Sequence, residues 1–306
     1  MQTKLTLRHK IENNLVLIAI SAVLALMYLP LLWHWYEGWL KKDIGIIHEY
    51  FSHGLIGIPF AAYIVWLNRK KWHRLPDKFH PLAVGFLIIG GIFYVSGLTD
   101  FVNLSLPIIL TGVCLWLKGI PGLKLQAFPL VFVLLATPNQ IPYLIEPYAL
   151  PLQSFIAAVA GFILTQFGVP VVVEEINLYV GGQIVEVAPH CAGLKMLFTS
   201  LYVGLMLLYW TGVWRSLTRS IIFLGSAALI SVIANIIRNT LLTYFHGTGN
   251  EQAFKWLHEG SGGDIYSACM LGTLVILINL MEKYFPIDSD EPETRSGFIA
   301  SHDEQD

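Results

Sequence analysis

The sequence predicts an all-α polytopic membrane protein with about eight transmembrane helices, a re-entrant segment and a short extracytoplasmic β-hairpin. Three observations carry that expectation. Of the 306 residues, 55% are hydrophobic and only 13% charged, about half the charged share of a soluble domain. Mean hydropathy is +0.61. Charge-free apolar windows recur along the chain, each near the ~20 residues that a helix needs to cross a bilayer. A formal charge of −2, without a basic patch interleaved with aromatics, argues against a nucleic-acid partner. Three cysteines are too few for a disulfide framework.

Lys4, Arg8 and Lys10 precede the first apolar run, residues 14–33. No small-residue cleavage site succeeds it, so it reads as a retained helix rather than a signal peptide. Trp33, Trp35 and Trp39 suggest an interfacial aromatic belt. The second run, 50–67, is interrupted only by His53, and the strongest basic cluster comes directly after it: Arg69, Lys70, Lys71, His73 and Arg74. By the positive-inside rule this loop is cytoplasmic. Runs 82–98 and 101–117 form a helical hairpin turning at Thr99 and Asp100. Segment 125–136 is apolar but too short for a ~30 Å core. Pro138, Pro142, Pro147 and Pro151 break the chain between it and run 152–167.

Residues 170–187 change character. Two β-branched runs flank Gly181-Gly182, a two-residue hairpin signal. Further apolar runs cover 192–209, 220–245 and 264–281, with Arg215 and Arg219 as a second basic turn. Residues 246–263 form a polar, Gly-rich outer loop with a short amphipathic piece at 251–257. The expectation is one membrane domain over 1–287 and a disordered acidic cytoplasmic tail over 288–306. If both basic loops are cytoplasmic, the hairpin lies outside. Re-entry of 125–136, buried in protein, resolves the parity and leaves eight spans with both termini inside; a thin crossing by this segment is the alternative.

Chemistry concentrates at Glu-Val-Ala-Pro-His-Cys-Ala-Gly-Leu-Lys-Met, residues 186–196. Cys191 stands where the hairpin ends and an apolar helix begins. A thiol at a helix N-terminus meets unpaired backbone N–H groups and the positive end of the macrodipole, which favours thiolate. Lys195, four residues on, lies on the same face of such a helix and acts in the same direction. Cys114 and Cys269, inside apolar spans, read as small buried hydrophobes. Arg238 lies 19 residues beyond Arg219, about 28 Å along a helix, and so near the outer face. An ionisable residue within a span is a functional candidate, and Asn235 and Asn239 flank it. His258 belongs to the outer loop. Three chemically capable residues, distant in sequence, thus share one membrane depth.

The chain resembles the exosortases and their archaeosortase relatives over most of its length. The resemblance rests on Ser52-His53-Gly54, Gly-Val-Pro-Val at 168–171, the hairpin before the cysteine, Cys191-Ala192-Gly193, Asn235-Ile236-Ile237-Arg238 and His258-Glu259-Gly260, in that order. Ala192 stands where the family usually has Ser, and Lys195 where it often has Arg; the overall character resembles a cyanobacterial branch. The resemblance implies a membrane cysteine protease-transpeptidase with catalytic Cys191, Arg238 and His258. It further implies exported protein substrates that end in a Pro-Glu-Pro-like motif, a transmembrane helix and a basic tail. Lys195, Asn235, His53 and Glu259 are the candidate substrate-binding residues.

His258-Glu259 is not a zinc motif, because position 262 is Gly rather than the second His. No metal and no cofactor is expected. His190 is a weaker general-base candidate, since neighbouring side chains in a strand face opposite ways. Glu174, Glu175 and Glu186 read as solvated hairpin residues. A transporter, or a lipid- or polysaccharide-handling protein, is the competing class: broken segments and an intramembrane Arg also suit a transport path. It requires Arg238 and leaves Cys191 dispensable, whereas a purely structural subunit needs none of the three.

Overall fold

The computed structural model describes residues 2–40, 50–187, 193–258 and 260–285. The acidic tail expected from residue 288 lies outside them. The molecule is a helical multi-pass membrane protein carrying one small sheet. α1 (Gln2–Leu40) is a single 39-residue helix, and its Ile18–Leu40 portion is long and apolar enough to cross a membrane. Five further segments meet the same measure: Thr99–Leu125, Pro147–Gln166, Leu194–Thr211, Leu217–Gly247 and Ser261–Tyr284. The other two expected spans appear as α2 (Gly54–Arg74), whose last turns carry the basic cluster, and α3 (Leu82–Val95), which is 14 residues long.

α3 pairs with α4 (Thr99–Leu125) as the expected hairpin, and α4 kinks at Gly119. α5 (Ala127–Ala136) begins at once. The Asn68 side chain donates to the Leu125 carbonyl at 3.1 Å, and His53 Nε2 lies 3.1 Å from the Leu135 carbonyl. The start of α5 is therefore level with the basic end of α2, and its end with the opposite end of α2. This corrects the re-entrant expectation. The segment does not return to its own side but runs antiparallel to α2. It reaches about 15 Å in ten residues. Ala61, Ile64, Phe132, Ala136 and Tyr202 bury the contact.

After α6 (Ile141–Ile145) and the 3₁₀ turn Glu146–Ala149 comes α7 (Leu150–Gln166). The expected two-stranded hairpin is a three-stranded antiparallel meander: β1 (Val171–Glu174), β2 (Asn177–Val180) and β3 (Gln183–Glu186). Gly181 and Gly182 turn between β2 and β3, both at positive φ, as a two-residue hairpin loop requires. The additional turn closes at the Glu174–Asn177 pair and holds Glu175 at φ +54, a conformation few non-glycine residues adopt. The sheet packs through Leu178 and Val187 on Ile156, Ala157 and Ala160 of α7. The chain continues through α8 (Leu194–Thr211), the 3₁₀ turn Val213–Arg215 and α9 (Leu217–Gly247) to α10 (Glu251–His258) and α11 (Ser261–Tyr284).

Polar groups inside a membrane protein must find partners within the protein. Asn103 on α4 does so twice: its carbonyl oxygen accepts from Trp35 Nε1 at 2.8 Å, and its amide donates to the Pro138 carbonyl at 3.0 Å. One side chain thus ties α1, α4 and the turn after α5. Substituting Asn103→Leu strands both partners. At ~1–3 kcal/mol per stranded buried group, it should cost about 2–4 kcal/mol. Thermal unfolding in detergent measures this as a lowered midpoint, and an unchanged midpoint contradicts the assigned role.

Candidate active site

α9 organises one end of the molecule. Arg219 and Arg238 lie on this one unbroken 31-residue helix, so their separation along the axis is about 28 Å. α8 runs antiparallel beside it, with Gly204 against Leu224 and Gly193 against Asn235. α11 does the same: Leu274 packs with Phe223, the Tyr266 hydroxyl donates to the Ala234 carbonyl, and Gly263 sits by Arg238. The first residues of α8 and α11 therefore both meet α9 around positions 234–238. The sheet joins them farther along, where Gly181 and Val180 pack closely on Gly247.

Arg238 and the end of α10 both border the start of α11 here. A Cβ placed on Gly263 would lie 3.7 Å from Arg238 Nη2 and 4.0 Å from the His258 carbonyl oxygen. The Arg238 side chain and the His258 backbone thus both lie against Gly263. Both are half-buried. A cavity of about 160 Å³ opens beside His258, lined also by Glu186, Asn239, Leu242, His246 and Phe254 among others. That is room for one side chain or a few waters. It is polar on the Glu186 and histidine sides and apolar at Leu242 and Phe254.

His246 was not singled out by sequence. Its ring centroid lies 4.6 Å from that of Phe254, and Phe254 stacks on His258 at 5.2 Å with 8° between planes. Two imidazoles thus share one phenyl ring. Glu251 Oε1 lies 3.3 Å from His246 Nδ1 and joins the first turn of α10 to the last turn of α9. Phe254 and His258 are four residues apart, the spacing that puts two side chains on one helix face. That signal was present in the sequence. The partnership with His246 depends on the turn between the helices and was not.

Asn235 is buried, 1% exposed, and its backbone carbonyl accepts from Asn239 Nδ2 at 2.9 Å. Lys195 is half-buried in the first turn of α8. His53 lies elsewhere. It is 5% exposed, held at the Leu135 carbonyl, with its ring 4.4 Å from that of Tyr202. It serves the packing of α2, α5 and α8 and is not brought to the cavity. Cys191, His190 and Glu259 lie outside the described residues.

One expectation near the cysteine is corrected. The helix begins at Leu194, not at position 192, and Gly193 precedes it at φ +85. A left-handed residue interrupts helical geometry. The position of Cys191 relative to Lys195 lies outside the described residues. The described chain on either side of 188–192 does converge on α9: Val187 packs with Ile236, and Gly193 abuts Asn235. Among the described residues no group of three or more His, Cys, Asp or Glu is arranged to hold a metal ion.

The family described as transmembrane exosortase matches residues 35–275, a span that takes in Cys191, Arg238 and His258. No curated protein and no solved structure matches the chain.

The stack yields a test that needs no substrate. With Phe254→Ala, the rings of His246 and His258 lose their shared cover. Modification of both by diethyl pyrocarbonate, read by peptide mass spectrometry, should rise several-fold. Unchanged modification contradicts the stack.

Proposed function

The chain belongs to the transmembrane exosortase family, and from that premise we propose that it is a cysteine peptidase-transpeptidase working at the outer edge of the inner membrane. Its substrates are exported proteins with a C-terminal sorting signal: a Pro-Glu-Pro-like motif, a transmembrane helix and a basic tail. The observation that carries this reading is that Arg238 borders the start of α11 next to the His258 backbone, while His258 lines a cavity that Glu186 also lines. The described chain on both flanks of 188–192 abuts the same part of α9. The basic residues at Arg69–Arg74 and Arg215–Arg219 support a cytoplasmic side at the other ends of these helices.

The reaction is acyl transfer. The Cys191 sulfur attacks the carbonyl carbon of the scissile peptide. Arg238 holds the substrate beside it. The C–N bond breaks as His258 protonates the leaving nitrogen, and a thioester remains on Cys191. His258 then takes a proton from water or from an acceptor amine, which attacks the thioester and frees the Cys191 thiolate.

The test is processing of a co-produced exported protein bearing such a signal. Cys191→Ala should reduce processing to below about one thousandth of wild type, and Arg238→Ala should reduce it about 100-fold or more. Full processing by Cys191→Ala contradicts the proposal. Paired with loss in Arg238→Ala, it favours a transport or lipid-handling path instead.

A further inference from the structure

We infer that Asn235, together with the N-terminus of α8, forms the oxyanion site of this reaction. The inference rests on the peptidase reading and adds a catalytic group to it. It begins with the orientation of one amide. Asn239 Nδ2 donates to both the backbone carbonyl of Asn235, at 2.9 Å, and its side-chain Oδ1, at 3.2 Å. A flipped Asn235 amide would set two donors against each other, so the network fixes Oδ1 toward Asn239 and Nδ2 away from it. Nδ2 then points at the start of α8: a Cβ built on Gly193 would lie 2.8 Å from it. Asn235 is 1% exposed, and among the described residues its Nδ2 has no hydrogen-bond partner. A buried donor without an acceptor is costly, and in a native fold it calls for an explanation.

The N-terminus of α8 supplies the second half of the site. Its N-cap is Gly193, at φ +85 and without a side chain to cap the helix. The first N–H groups of an α-helix have no acceptor inside it, and the 18-residue helix adds the positive end of its macrodipole. Leu194 and Met196 are buried, 4% and 6% exposed, so bulk water competes little. An amide donor and a helix N-terminus thus lie side by side.

Gly193 is two residues from Cys191 in the chain. When the sulfur attacks, the new C–S bond forms and the carbonyl π pair moves onto an oxygen two bonds from that sulfur. Asn235 Nδ2 and the α8 N–H groups stabilise that charge by donating hydrogen bonds to it. Collapse of the adduct returns the pair, breaks the C–N bond, and sends the His258 proton to the leaving nitrogen. Arg238, on the Gly263 side, is left to hold the substrate. Asn239, which lines the cavity with His258, fixes the orientation of Asn235 and is a positioning residue.

The test uses full-length protein in its membranes with Asn235→Ala and Asn235→Asp, the latter keeping the shape while removing both N–H donors. Processing of the co-produced target is compared with alkylation of Cys191 by iodoacetamide, read at the Cys191 peptide. Alkylation displaces iodide from a saturated carbon and develops no oxyanion, so it reports only the thiolate and the fold. We expect processing to fall about 100- to 1000-fold in both variants while alkylation stays within about twofold of wild type. Processing within about threefold of wild type overturns the inference. So does a parallel fall in alkylation, which assigns Asn235 to the thiol or to the fold. Undiminished processing by Cys191→Ala overturns the peptidase reading itself, and this inference with it.

Discussion

The length of α9 governs the rest of the structure. Its 31 residues reach about 46 Å, against a hydrocarbon core of about 30 Å. One end carries Arg215 and Arg219 at the basic side. The other end brings Asn235 and Arg238 level with the starts of α8 and α11 and carries His246 past them. A helix that overshoots its neighbours exposes polar side chains and needs cover. The meander, packed through Val180 on Gly247, and α10, joined through His246 and Glu251, provide it. The candidate site is the space between α9 and these covers.

The membrane part serves this end by holding the helices in fixed register. Van der Waals contact and satisfied polar groups, rather than burial from water, must do that work in lipid. Trp35, Asn103 and the Pro138 carbonyl form one buried link; the Tyr202 hydroxyl, donating to the Phe132 carbonyl at 3.0 Å, forms another. Tyr202 also carries the ring against His53. A histidine from a motif of the family resemblance thus lies in the scaffold that fixes α8, and so the height of Gly193 at the site. The same helix register brings the buried Asn235 amide to the start of α8.

Much of this was legible in the sequence, for physical reasons that differ by element. Hydropathy and length suffice for long helices, because a bilayer imposes a minimum span, and the α3–α4 hairpin, α9 and α11 are recognisable on those grounds. Counting along one unbroken helix placed Arg238 at the end opposite Arg219, and α9 has no break to spoil the count. Short elements were harder. The third strand was missed because its turn uses Glu175 at positive φ, where a turn is normally announced by Gly or Asn. The start of α8 lies two residues later than its apolar run because Gly193, tolerable inside a helix by residue type, has a left-handed backbone that sets it outside. Length alone makes the short α5 look re-entrant, and only its contacts with Asn68 and His53 show it running the other way. The stack of His246, Phe254 and His258 depends on a turn between two helices, which no local pattern encodes.

The proposed reaction is a thiol-based acyl transfer, and a thioester is its defining intermediate. The most direct measurement is to trap that species on the full-length enzyme with a processed target, digest it, and locate the adduct by mass spectrometry. The expected result is the N-terminal product of the target attached at Cys191, released by neutral hydroxylamine as a thioester is. Processing that proceeds with no such adduct, or with an adduct at another residue, would contradict acyl transfer through Cys191.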